Sequence, residues 1–297
     1  MNTKAISYRI MRFPLSQIAL GITICCSIVA IGQVGVIQLF KLTALDVNTV
    51  NLINAVVAAI LIVGSYALWF GYYEKRPISE LSLTGMVSQL MMGVTLGAVL
   101  QSLTILVIYL AADFQIISTN SFRFVIPALA VALAVAVVEE IIIRGIIFRI
   151  IEKRWGSYVA LLLSALIFGV MHLANPNSSL IAALGLSIQA GLLLASAYIY
   201  TRSLWFPIAI HFAWNFTESG IFGAKVSGSA LSRSLLVTKI DGAAWITGGE
   251  FGPEGSVQAT LFCLLATICL LLMSHRQNKL LPPAPPHDLL YGDPIAP

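Results

Sequence analysis

Apolar residues along the chain fall into long runs, separated by short clusters rich in charge, Gly, Pro or Asn. About 20 apolar residues in helical form cross the ~30 Å hydrocarbon core of a bilayer. Runs of that order lie near 14–40, 49–73, 85–111, 124–151, 157–174, 179–201, 204–221 and 256–274. The pattern predicts an all-α polytopic membrane protein with about eight transmembrane helices. The seventh run is short and carries His211 and Glu218. No internal repeat is visible.

Composition supports this reading. Of 297 residues, 58% are hydrophobic and 10% charged, against about 25% charged in a soluble domain. A single membrane domain, 1–280, accounts for nearly all of the chain, and its partner is the lipid bilayer. The loop 222–255 is extramembrane; its glycines predict tight turns that fold it back over the membrane domain. The tail 281–297 is Pro-rich and expected to be disordered. The net charge of +4 points to no nucleic-acid partner. Cys25, Cys26, Cys263 and Cys269 lie in apolar runs without zinc or disulfide spacing and read as packing residues.

The distribution of basic residues sets the orientation. Lys4, Arg9 and Arg12 precede a run long enough to span, with no clear cleavage site, which reads as a signal anchor. An inside N-terminus puts Lys4, Arg9, Arg12, Lys75, Arg76, Arg149, Lys153, Arg154, Arg202, Arg276 and Lys279 on the cytoplasmic side. Lys41, Arg123, Lys225, Arg233 and Lys239 fall outside, the last three in one long loop. Basic residues in short loops mark the cytoplasmic face. The expectation is a multi-pass protein of the plasma or inner membrane with both termini cytoplasmic.

Against this apolar background the stretch Val138–Arg144 stands out, with Glu139, Glu140 and Arg144 inside a predicted span. A charge at the bilayer centre costs roughly 2.5–3.5 kcal/mol on insertion scales. Spacing four lets Glu140 pair with Arg144, whereas Glu139 points about 100° away. Two further spans carry His172, closing Phe168-Gly-Val-Met-His172, and His211, opening His211-Phe-Ala-Trp-Asn215. His275 and His287 lie in the cytoplasmic tail. Titratable groups in a membrane turn inward and find one another. A buried carboxylate can deprotonate water, and His and Asn can hold a developing oxyanion. The set suits amide hydrolysis without a covalent intermediate. Glu139, His172 and His211 also make a three-ligand zinc set with an open position, although His-Glu-x-x-His is absent. Glutamate-activated water with no tightly bound metal is the preferred reading and zinc the alternative. Two non-catalytic readings remain, a membrane scaffold or immunity protein and a proton-coupled transporter. A transporter tends to show paired interrupted helices in two halves, and here the ionisable residues crowd into the fourth, fifth and seventh spans.

Three motifs in order, Glu139-Glu140-x-x-x-Arg144, Phe168-x-x-x-His172 and His211-x-x-x-Asn215, resemble the signature of the CAAX protease and bacteriocin-processing family. This family of intramembrane proteases is also called the abortive-infection family. The resemblance covers roughly 120–220, the expected catalytic core, and Gly-Gly-Glu-Phe-Gly-Pro-Glu-Gly in the long loop adds to it. It implies a helical fold around a cavity open to one side of the membrane. It further implies that Glu139 activates water with help from His172, that His211 and Asn215 form the oxyanion site, and that Glu140 and Arg144 orient Glu139. Phe168 would shape the wall. Substrates in the family include prenylated tails, so a peptide or protein with a membrane-anchored or lipidated tail is the implied class.

Overall fold

The structure, a computed structural model, describes residues 13–41, 43–230 and 233–285. The basic N-terminal cluster and most of the Pro-rich tail, with His287, lie outside the described residues. The chain opens with three long helices, α1 Pro14–Phe40, α2 Val47–Glu74 and α3 Met86–Ala111. Asp46 caps α2, its carboxylate accepting from the N–H groups of Asn48 and Thr49 at 3.0 and 3.1 Å, as an N-cap should. A strand β1, Asp113–Thr119, follows.

Next come α4, Ile126–Glu140, a π turn at Ile141–Phe148, and α5, Arg149–Met171. This run, Phe122–Ala174, is 53 residues long, which as one straight helix would reach about 80 Å. It reverses instead at Gly156, where φ 80° and ψ 170° break the helix. Arg144 lies 4.9 Å over the Phe168 ring, whereas a straight helix would hold them about 36 Å apart. The two arms are therefore a hairpin.

After it come α6 (Leu180–Leu186), a π turn (Ser187–Leu192) and α7 (Leu193–Thr201). Helix α8, Trp205–Asn215, ends in a third π turn, Phe216–Ile221. Strand β2 (Leu236–Asp241), a short α9 (Ala244–Thr247) and α10 (Val257–Arg276) complete the order. Among the described residues, six helical runs are long and apolar enough to cross a membrane. The expected runs 124–151 and 157–174 share one of the six, and α8 with its π turn is at the lower limit of a span. Large apolar side chains such as Ile31, Leu68, Leu110 and Ile181 are 73–82% exposed on these helices. Water would penalise such a surface; lipid does not. The protein is an all-α polytopic membrane protein, apart from one small sheet.

Bundle packing depends on small residues. A Cβ at Gly97 on α3 would sit 2.3 Å from the Ile210 carbonyl oxygen of α8, so only glycine lets these two helices approach so closely.

The bundle has two chemically distinct ends. At one, Glu74 takes an ion pair from Arg149 at 2.8 Å, Glu80 accepts from Arg76 and Tyr66, and Arg202 meets Glu152 at 2.7 Å. Burial pushes the Glu80 carboxyl up, but its bonds from Arg76 and Tyr66 prevail and hold it below the usual carboxylate range. The segment that follows α10 returns here too: Ser157 donates its N–H to the Leu281 carbonyl at 2.9 Å, and Leu281 returns its own to the Ser157 hydroxyl at 2.8 Å. Residues 281–285, expected within a disordered tail, thus lie along the Gly156 reversal, with Ala284 N–H bonded to the Arg154 carbonyl at 3.2 Å. At the opposite end β1 and β2 pair antiparallel from Asp113↔Asp241 to Thr119↔Leu236.

Candidate active site

The three motifs meet at one side chain. Phe168 lies on the second arm of the hairpin and is buried. Its ring carries the Arg144 guanidinium at 4.9 Å, stacks at a tilt on His172 at 4.7 Å, and meets His211 edge-on at 6.1 Å. The residue expected to shape the wall is the contact that joins all three motif helices.

Arg144 is fully buried, and its donors are directed at several partners. Nη1 donates to Glu140 Oε1 at 2.8 Å; Nη2 donates to the carbonyls of Ala190 and Gly191 at 2.8 and 3.1 Å. Those carbonyls belong to the π turn between α6 and α7, so the pair also ties the hairpin to the next helix. Glu140 Oε1 receives a second contact, His211 Nδ1 at 3.0 Å. A carboxylate already held by a guanidinium has no proton to give, so Nδ1 carries the hydrogen. His172 Nδ1 similarly faces the Phe168 carbonyl at 2.8 Å, and a carbonyl only accepts. In the neutral ring, both histidines therefore leave Nε2 as a bare lone pair.

Glu139 is placed differently from its neighbour. One oxygen of each carboxylate, Oε2, is buried without a hydrogen-bond partner, but Glu140 is held through Oε1 by Arg144, whereas Glu139 faces open space. It lines a cavity of about 280 Å³ together with Phe168, His172, His211 and Asn215. The rest of the wall is largely apolar, including Val131, Leu186, Leu193, Ile210 and Trp214. Of the expected site residues, Glu139, His172, His211 and Asn215 share this cavity, while Glu140 and Arg144 sit behind the wall. His275 is remote in the last helical turn of α10. Among the described residues no three His, Cys, Asp or Glu side chains gather as a metal site. Glu139, His172 and His211, the alternative zinc set, line the cavity without being drawn together as ligands, and no step below runs through a metal.

One wall residue went unassigned in the sequence. Glu254 reaches the cavity from the loop after α9 and is 3% exposed; its Oε1 has no partner. Burial pushes its carboxyl above the ordinary range. Its N–H donates to the carboxylate oxygen of buried Glu218 at 3.3 Å. The loop is pinned by Gly228 N–H to the Phe251 carbonyl at 2.7 Å, and Asn175 donates to the Ser227 carbonyl at 3.2 Å. The clustered glycines signalled a folded loop; which acid it delivers depends on contacts too distant in sequence to read.

These observations define a polytopic membrane protein whose helices surround a cavity lined by carboxyl and imidazole groups. Residues 121–217 match the family model described as type II CAAX prenyl endopeptidase Rce1-like. The match spans about a third of the chain and contains all three motifs. The resemblance to the CAAX protease family therefore holds for the core, and the family is one of membrane peptide hydrolases. No curated protein and no solved structure matches the chain.

Proposed function

We propose that this protein is an intramembrane endopeptidase that hydrolyses a peptide bond with water activated by Glu139. The observation that carries the reading is the unpartnered, buried Glu139 Oε2 on the wall of a cavity shared with two histidines. An oxygen that the protein leaves without a donor, on a cavity wall, can accept a hydrogen from a bound water and then take its proton.

In the proposed reaction Glu139 takes a proton from water as its oxygen attacks the scissile carbonyl carbon. His172 Nε2, an acceptor by virtue of its Nδ1 bond to Phe168, holds the second water hydrogen. The carbonyl oxygen gathers charge and is met by the Asn215 amide and by His211. Since His211 Nδ1 is committed to Glu140, Nε2 donates only when the ring is an imidazolium. Glu140 is its counter-ion, which gives it a second task beside holding Arg144. The C–N bond then breaks, and the departing amine takes the proton held by Glu139. Metal is not required in this scheme, so 1,10-phenanthroline should leave cleavage unchanged.

Mapping of peptide termini in the membrane proteome tests the reading. Cells with the wild-type protein are compared with cells making Glu139→Ala at equal abundance. Termini present only with the wild type are expected. Identical termini, with the variant folded, would return the protein to the scaffold reading.

A further inference from the structure

The cavity has a polar margin. Among its lining residues Asn175, after α5, and Ser227 and Ser229, from the loop before β2, reach the surface, with buried Glu254 behind them. All of them lie at the sheet end of the bundle. From there the cavity descends to Glu139, and none of its lining residues comes from the ion-paired end. Below Glu139 the way is filled by fully buried Arg144, Ile143 and Phe148.

The two ends also differ in charge. The ion-paired end carries Lys75, Arg76, Arg149, Lys153, Arg154 and Arg202 on short connections, joined by Lys279. At the sheet end the short connections contribute only Lys41 and Arg123. Pairing of β1 with β2 puts residues 113–119 and 236–241 on one side, and four helical arms separate them, which agrees with an even number of crossings. Basic short loops mark the cytoplasmic face, so the sheet end, with the polar margin, faces away from the cytoplasm.

The cavity also reaches an apolar surface. Val131 lines it and is 47% exposed on α4. On a helix bundle in a bilayer such exposed side chains face lipid. The cavity therefore meets lipid at one margin and water at another.

We propose that the site is served from the extracytoplasmic side and cleaves peptide segments tethered to the membrane there, entering past Val131, and that it does not act on cytosolic tails. This rests on the protease reading for its chemistry and on bundle geometry and charge for its side. The test uses the full chain with Cys25, Cys26, Cys263 and Cys269 changed to Ala, carrying either Ser229→Cys at the rim or Lys153→Cys at the opposite end. Intact cells are treated with a membrane-impermeant sulfonated maleimide. Ser229→Cys is expected to label at least 10-fold more than Lys153→Cys, which should label only after lysis. The reverse pattern, or equal labelling of both before lysis, overturns the proposal. If the cysteine-free chain fails to fold, an epitope inserted at Gly242 of the otherwise native protein is read by antibody on intact cells, with binding expected and its absence overturning the proposal. The Glu139-dependent termini supply the other arm. Cuts in extracytoplasmic segments support it; cuts in cytoplasmic segments overturn it and leave the protease reading intact. No Glu139-dependent cuts at all would remove the protease reading and this substrate class together, without altering the labelling result.

Discussion

Arg144→Met is the sharpest test of how the site is held together. The substitution keeps most of the aliphatic stem and removes the guanidinium, which in the native protein is fully buried between Glu140, the carbonyls of Ala190 and Gly191, and the Phe168 ring. Two kinds of loss follow. Glu140, itself fully buried, keeps only His211 as an ionic partner. The two carbonyls on the π turn lose their donor. Removing one member of a buried pair costs about 3–5 kcal/mol, and an unsatisfied carbonyl about 1–3 kcal/mol. Because the losses share one group, they do not add, and about 4 kcal/mol is the expected total. One kcal/mol shifts Tm by roughly 2–4 °C in chains of 150–250 residues, and the lower figure suits this longer one. The expected drop is therefore about 8 °C, read from tryptophan fluorescence during heating of the detergent-solubilised protein. The double variant Glu140→Gln/Arg144→Met removes the stranded charge and should recover at least about 1 kcal/mol relative to the sum of the singles, as coupled neighbours do. A drop of less than about 2 °C for Arg144→Met, or strict additivity in the double variant, would refute the idea that this pair locks the motif helices together.

Other substitutions separate chemistry from stability. Glu139→Gln should abolish the wild-type-specific termini while leaving Tm unchanged or higher, since Oε2 makes no hydrogen bond that the amide could lose; a large fall in Tm would make Glu139 a structural residue. Gly97→Val forces a side chain where a Cβ alone would be 2.3 Å from the Ile210 carbonyl, and overpacking of this kind costs about 1–3 kcal/mol or more; a thermal melt checks it. The Glu80 carboxyl is held below its ordinary range, so its contribution is fully present above the unfolded value and disappears as pH falls through the lower folded value. Wild-type Tm should accordingly drop more steeply than that of Glu80→Gln on acidification below the usual carboxylate range, and parallel curves would count against that assignment.

Much of the molecule was legible in the chain. Helix α1 begins and ends where the apolar run 14–40 does, because a span is set by length and hydropathy alone. The Glu140–Arg144 contact follows from spacing four, and the break at Gly156 follows a charged cluster that cannot stay at membrane depth. Other features depend on residues far apart in sequence. Depth along straight helices puts Glu139, His172 and His211 at levels about 12 Å apart, yet the structure lines one cavity with all three. π turns follow Glu140, Leu186 and Asn215, two of them on motif helices, and no local propensity announces a π turn. The β1–β2 pair joins segments on opposite sides of the motif region, so neither strand had a visible partner. Glu254 reaches the wall from a loop whose glycines predicted turns but no destination. The prolines around Leu281 predict a disordered tail, yet its backbone has partners at Ser157.

The reversal at Gly156 bears on how the chain enters the bilayer in the first place. Both arms, Phe122–Ala174, form one apolar unit whose halves recognise each other through Arg144 and Phe168. During biogenesis the first arm would present two carboxylates and a guanidinium to the hydrocarbon if it entered alone. Glu140 and Arg144 offset one another within that arm from the moment its helix forms, and the second arm then lays an aromatic face over the guanidinium. A helical hairpin inserted as a unit thus delivers Glu140 and Arg144 already sheltered, with Glu139 beside them turned to the cavity.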